Sequence, residues 1–205
     1  MRPQDLLEGM DPLFPADFFT YNIEIGQSAT ELPNLSDLLA EELLSFLSLS
    51  WSVEGISGVF RIKKSLETSL FPEYMKGDAV EIFIDTRDNK KASFASRFCH
   101  QFVFLGKEVN GICAQEITKF RAEDTHPLCD PSDIFLEVKE KKESYEVAFT
   151  LPKEILYGYD PLQFSRLGFA YRIHRYKGKP EHFPFSSKYF DPLKHPSLWA
   201  SLLLV

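Results

Sequence analysis

The sequence predicts a mainly β fold: an antiparallel β-sandwich of jelly-roll type, with about nine strands and one minor amphipathic helix. Three observations predict it. Segments in which apolar and polar residues alternate with period two recur along the 205-residue chain, with turn-forming residues between them. Most of these segments lie too close together for parallel crossovers, so antiparallel pairing in two packed layers is the economical arrangement. The chain is 44% hydrophobic and carries 19 Phe against 2 Trp, which points to a phenylalanine-rich core and away from disorder. No repeat, low-complexity tract or Gly/Ser linker divides residues 1–205, and a chain of this length needs no disulfide or metal staple to fold as one domain.

The first strand is expected over residues 18–25, where Phe19, Tyr21, Ile23 and Ile25 fall on one face and Thr20, Asn22 and Glu24 on the other. Residues 34–47 read as the helix, inserted between early strands. Leu35, Leu38, Leu39, Leu43, Phe46 and Leu47 recur there at helical spacing after the capping candidates Asn34 and Ser36. Further strands are expected at 51–62, 79–85, 98–105, 112–120, 134–139, 145–151, 167–176 and 199–205. The charge-rich residues 139–143 read as a hairpin turn. The most informative segment is 77–88: Gly77 and Asp78 form a turn, Val80 to Ile84 have strand character, and the strand ends in Asp85, Thr86, Arg87 and Asp88.

A net charge of -7 argues against nucleic acid or an anionic membrane as partner, since either would repel the protein before contact. The N-terminus has no apolar run suited to a signal peptide, and no stretch reaches transmembrane length, so a cytoplasmic location is expected, with export by a route lacking a cleaved signal left open. Cys99, Cys113 and Cys129 form neither an even set nor a close pair, which agrees with a reducing compartment. There is no GxSxG elbow, phosphate-binding glycine loop, GxGxxG after a strand, or HExxH, so the expectation is a protein that is not an enzyme.

Three segments together resemble the family 9 carbohydrate-binding modules and the wider DOMON-like β-sandwiches. They are the Gly77 to Asp88 segment, the strand Leu167-Gly168-Phe169-Ala170-Tyr171-Arg172-Ile173, and the ending Pro196-Ser197-Leu198-Trp199-Ala200-Ser201-Leu202. The resemblance runs from about Trp51 to the end of the chain. It implies a non-catalytic fold that recognises a saccharide or another small polar ligand. In sugar-binding members a pair of aromatic side chains clamps a terminal sugar, polar side chains bind its hydroxyls, and calcium ions brace loops. Relatives with the same sandwich bind haem. The alternatives are a cytosolic interaction or scaffold protein that has lost the sugar site, and a haem-binding protein of the DOMON-like kind.

The candidate ligand-binding residues fall in three places. Asp85, Arg87 and Asp88 cluster at a strand end, where Arg87 offers a planar fork to a carboxylate or to sugar hydroxyls; an Asp–Arg pair fixing a turn is the architectural alternative. Glu81 and Asp85 share a strand face, which by itself makes no glycosidase. Arg172, His174 and Tyr176 share one face of the late strand and could line a polar groove, or form a solvated outer face. Trp51, like Trp199, sits at a predicted strand start, where sugar stacking and packing are both open.

Metal and cofactor candidates are sparser, and the expectation is no cofactor. Asp124, Asp130 and Asp133 are candidate calcium ligands without EF-hand spacing. His126 and Cys129 have a His-x-x-Cys spacing, with Cys99, His100 and Cys113 as the other zinc donors, none forming a recognised pair. His100 shares a strand face with Phe98, Phe102 and Phe104, as expected of a buried structural histidine, while adjacent Cys99 points the other way. For haem, the candidate axial ligands are Met75 and His100.

Overall fold

The computed structural model describes residues 22–120, 123–188 and 190–205. Two β-sheets pack face to face. The larger contains, in spatial order, β1 (Asn22–Ile25), β12 (Ala200–Leu204), β10 (Arg166–His174), β5 (Ala79–Asp85), β6 (Cys99–Val109) and β7 (Ile112–Glu116). The short β11 (Glu181–Phe183) also pairs with β10, continuing the edge that β12 occupies lower down. The smaller sheet runs β2 (Thr30–Glu31), β3 (Ser45–Ser52), β4 (Gly55–Ile62), β9 (Tyr145–Pro152) and β8 (Phe135–Glu140). Every pairing is antiparallel except that of β1 with β12, which is parallel. Of the expected first strand, residues 18–21 lie outside the described residues and Asn22–Ile25 is β1.

The predicted strands are found with shifted ends, and the residue 139–143 segment is the β8–β9 hairpin turn. The expected helix is corrected. Helix α1 covers only Ser36–Leu39, because Ala40 takes a left-handed conformation (φ 54°) and ends it. Ser45–Ser52 then runs as a strand whose residues Ser45, Leu47 and Leu49 are buried, while Phe46, Ser48 and Ser50 are half-exposed. The alternation Leu47, Leu49, Trp51 against Ser48, Ser50, Ser52 was the signal. Leucines that also fell at helical spacing masked it. The count of strands rises accordingly, through β2, β3 and β11.

Benzyl and phenol rings fill the space between the sheets. Phe60 of β4 meets Tyr171 of β10 edge-on at 5.2 Å, and Phe149 of β9 meets Phe104 of β6 at 5.0 Å. These pairs cross from one sheet to the other, and offset or edge contacts of this kind add to area burial. On β5, Val80, Ile82 and Ile84 point into this core.

The other face of β5 is covered as well. Phe83 packs with Cys99, Ala170 and Trp199, and Ala79 packs with Tyr74, Val103 and Leu105. All seven residues of β5 are therefore buried. Between the two apolar clusters lies one polar row, formed by Glu81 of β5, Gln101 of β6 and Arg172 of β10. This row is the outer-face site.

Candidate functional site

Glu81 is fully buried, and four side chains converge on its carboxylate. Tyr74 Oη donates to Oε1 at 3.0 Å and Gln101 Nε2 at 2.5 Å, while Arg172 Nε donates to Oε2 at 2.6 Å and His174 Nε2 at 2.8 Å. The sheet register explains the convergence. Arg172 stands directly opposite Glu81 on β10, and Gln101 lies diagonally across on β6, next to Val103, the residue opposite Glu81 there. Tyr74 is delivered by the 3-10 turn Tyr74–Lys76 just before the strand.

Burial alone would raise the Glu81 pKa. Hydrogen bonds from His174 and Arg172, together with the Arg172 charge, outweigh it and hold Glu81 down at about 2. Burial lowers His174, against the opposing pull of Glu81, so the ring is neutral and donates through Nε2. Burial and the Glu81 charge together raise Tyr74. The core of the site is thus one carboxylate balanced by one guanidinium.

Gln101 and Arg172 of this row line a cleft of about 620 Å³ together with Phe71, Tyr74, Met75 and Ile117, with Lys119 and Asp191 supplying one charge of each sign. A smaller cleft of about 200 Å³ shares Met75 and Arg172 with it and reaches His174 and Arg175. Gln101 is 2% exposed, and its Oε1 has no hydrogen-bond partner among the described residues. Gln101 Nε2 is committed to Glu81, so the amide cannot turn to satisfy its carbonyl. Arg172 commits only Nε, leaving both terminal nitrogens unbonded among the described residues. Gln101 and Arg172 thus both line the cleft, the first with its unsatisfied oxygen buried behind the surface and the second with its terminal nitrogens uncommitted among the described residues.

The sequence candidates are dispersed. Arg172 and His174 join the Glu81 row. Tyr176 does not: it lies beyond the end of β10, where its backbone N–H donates to Asp78 at 2.9 Å and its ring lies under the Lys177 ammonium. Asp85 ends β5, four residues and about 13 Å along the strand from Glu81, and Arg87 and Asp88 lie beyond it. Asp85 accepts from the backbone N–H groups of Arg87 and Asn89 at 2.9 and 2.8 Å. Arg87 donates to the carbonyls of Thr86 and Gly158 and is held against the rings of Phe98 and Phe164. Asp88 pairs with Lys90 at 2.5 Å and accepts from Ser201 Oγ at 2.6 Å. These groups tie a corner of the sandwich together through backbone turns and neighbours.

Trp51 ends β3 on the other sheet, where its Nε1 donates to the carbonyl of Val205 at 3.2 Å. Trp199 is fully buried, donates to the Pro192 carbonyl at 3.1 Å and packs on Phe83. The two tryptophans do not form a clamp.

The calcium candidates are not gathered either. Asp124 pairs with Arg97, and Asp130 caps the 3-10 turn Pro131–Asp133 through Ser132, so the three carboxylates do not provide the six to eight oxygen ligands that calcium takes. Met75 lines the outer cleft, whereas His100 points to the inner face of the same sheet, so the two haem candidates share no pocket. Among the described residues, the one trio of His, Cys, Asp or Glu placed to share an ion is His100, Glu116 and His126, all buried. The sequence offered the two histidines without Glu116.

Two sheets of mostly antiparallel strands packed face to face define the fold as a β-sandwich. No protein-family profile matches the sequence, and no curated protein does. Solved structures do share the fold. A family 9 carbohydrate-binding module from Caldicellulosiruptor kristjanssonii, in complex with cellotriose, superposes with a TM-score of 0.62 at 13% identity, covering 90% of this chain and 93% of that one. A glucose complex of a family 9 module from the same organism gives 0.61 and 13%, covering 90% and 95%. A protein from Bacteroides uniformis gives 0.54 and 9%, covering 90% and 99%. The fold is that of a family 9 module.

Proposed function

We propose that this protein is a non-catalytic module that binds a neutral saccharide in the cleft over Glu81, Gln101 and Arg172. The observation that carries this reading is the buried Gln101 Oε1 beside the terminal nitrogens of Arg172, all without a hydrogen-bond partner among the described residues. A pair of neighbouring hydroxyls satisfies both, one donating to the amide oxygen and the other accepting from the guanidinium. Glu81 fixes both groups in advance, which lowers the ordering cost of binding. Tyr74, Phe71 and Met75 supply the apolar wall that a sugar's C–H face requires, and the cleft volume suits a small ligand. The charge balance of Glu81 and Arg172 favours an uncharged ligand. The sugars named for the two Caldicellulosiruptor complexes agree with this chemistry. The three cysteines, all free, support a cytoplasmic setting, where the ligand would be a soluble sugar. A surface dedicated to a protein partner finds less support, since the exposed Leu38, Phe135 and Leu162 stand on separate segments.

Calorimetric titration with glucose, cello-oligosaccharides and other neutral mono- and oligosaccharides tests the proposal. Arg172→Ala and Gln101→Leu are each expected to weaken binding by about tenfold or more, the worth of one hydrogen bond involving a charged or buried group. Absence of binding across that panel, with calcium and without, would overturn it.

A further inference from the structure

Behind the same sheet, on its inner face, a second polar cluster is buried at the end of the core. His100 Nδ1 and His126 Nε2 each lie 2.9 Å from Glu116 Oε1, and Thr118 Oγ1 donates to that same oxygen at 2.8 Å. Glu116 Oε2 accepts from the backbone N–H of Cys129 at 2.9 Å. The outer cleft makes no use of this cluster. We propose that His100, His126 and Glu116 bind a divalent transition-metal ion of the zinc type.

Proton bookkeeping supports this. His126 Nδ1 lies 2.6 Å from the backbone carbonyl of Arg97, which only accepts, so Nδ1 carries the proton. Nε2 is then the nitrogen presented to Glu116, where either a proton or a metal ion can lie between the two. A backbone carbonyl fixing one imidazole nitrogen so that the other faces a metal is the usual support for a metal-bound histidine. His100 directs Nδ1 at the same oxygen, and its Nε2 is fully buried with no hydrogen-bond partner among the described residues. Among the described residues, the only polar contact of that ring is therefore the shared point where all three groups converge. Three partners crowd one carboxylate oxygen, which offers about two lone-pair sites. A cation between the three ligand atoms replaces protons there and relieves that crowding.

Ligand type and spacing select the ion. Two imidazoles and one carboxylate suit zinc and its neighbours and exclude the all-oxygen preference of calcium and magnesium. The ligand atoms lie within 4.8 Å of one another. Tetrahedral zinc with bonds of about 2.0–2.1 Å places its ligands about 3.3 Å apart, so small side-chain rotations close the site. Three protein ligands leave a fourth position open. The site sits under the loop that carries His126 and Cys129, between β7 and β8, where a bound ion would pin that loop to β6 and β7.

The test uses the full chain stripped with chelator, then titrated with Zn²⁺ against a chromophoric competitor and, separately, with Co²⁺. One ion per chain and a visible Co²⁺ d–d band are expected. His100→Gln and His126→Gln should each weaken Zn²⁺ binding by at least about 100-fold, while Cys113→Ser, at an exposed position, should not change it. If either histidine variant fails to fold by circular dichroism, imidazole ¹⁵N spectra of the wild-type chain decide. Zinc should move His100 and His126 and leave His174, His182 and His195 unmoved. No Co²⁺ band with no retained zinc, full affinity in folded histidine variants, or shifts confined to the other three histidines would each overturn the proposal.

Discussion

Glu81 and Arg172 face each other across neighbouring strands, and their side chains meet at 2.6 Å on a sheet face where apolar clusters lie to either side. The pair is at once a structural support and the floor of the proposed site. Removing the charge from Glu81 leaves Arg172 without its counter-ion, and a glutamine there keeps an acceptor oxygen for only two of the four donors. Glu81→Gln is expected to destabilise the fold by about 3 kcal/mol, the low end of the range for breaking a buried pair, because Arg172 can turn its free end into the cleft. Urea denaturation of the two chains measures this.

Acid should destabilise the protein from near pH 6.5 downward. His174 is depressed by burial, so the native ring resists a proton that the unfolded chain accepts near pH 6.5. Glu81, held at about 2, and Glu116, held well below the usual carboxylate range by His100 and His126 against the opposing effect of burial, resist protonation that unfolded carboxylates accept near 4.5. In each case the unfolded state binds more protons, so stability is present above the unfolded value and is lost as pH falls toward the native one. Asp85 and Glu181 are raised by burial and act in the opposite sense, but the larger displacements belong to Glu81 and Glu116. The Tm should therefore drop most steeply between about pH 4.5 and 2. The Glu81 displacement alone corresponds to on the order of 3 kcal/mol. A Tm unchanged across that interval would contradict the assignment.

The two tryptophans should behave as opposites. Trp199 is fully buried and its fluorescence should be blue-shifted and protected from iodide, whereas the half-buried Trp51 should be quenched. Trp199→Ala is expected to cost about 3–5 kcal/mol as a large core truncation. Trp51→Phe should cost about 1 kcal/mol, the hydrogen bond to Val205, and should leave saccharide affinity unchanged because Trp51 belongs to the other sheet. A loss of sugar binding in Trp51→Phe would relocate the site.

Gly58 is packed tightly within the smaller sheet. A β-carbon there would come within 2.6 Å of both Leu49 Cδ2 and Phe149 Cζ, two side chains that close over the glycine from the neighbouring strands. Gly58→Ala is expected to destabilise by about 1–3 kcal/mol through overpacking, read as a lower midpoint in chemical denaturation.

Local pattern made the strands legible and pattern also produced the main error. Residues 79–85 and 145–151 alternate or run apolar between turn signals, and both are strands almost to the residue. Residues 34–47 carry leucines that satisfy a helical period, while the chain within them breaks at Ala40 and re-forms as a strand. Of the site, Arg172 and His174 could be nominated because they share a strand face near a basic loop. Gln101 and Tyr74 carried no signal of their own. Glu81 was placed on the correct face of its strand but set beside Asp85, whose carboxylate instead ties down a turn.

The amino-acid order by itself determined the period of each segment, hence two β layers with an aromatic interior, since side-chain alternation depends only on neighbours along one strand. Only the tertiary structure decided which polar groups meet. Glu81 and Arg172 are 91 residues apart, and His100 and Glu116 are 16 apart, joined through strand register and loop closure. Register couples distant segments through the packing of whole faces. No window of sequence contains that information.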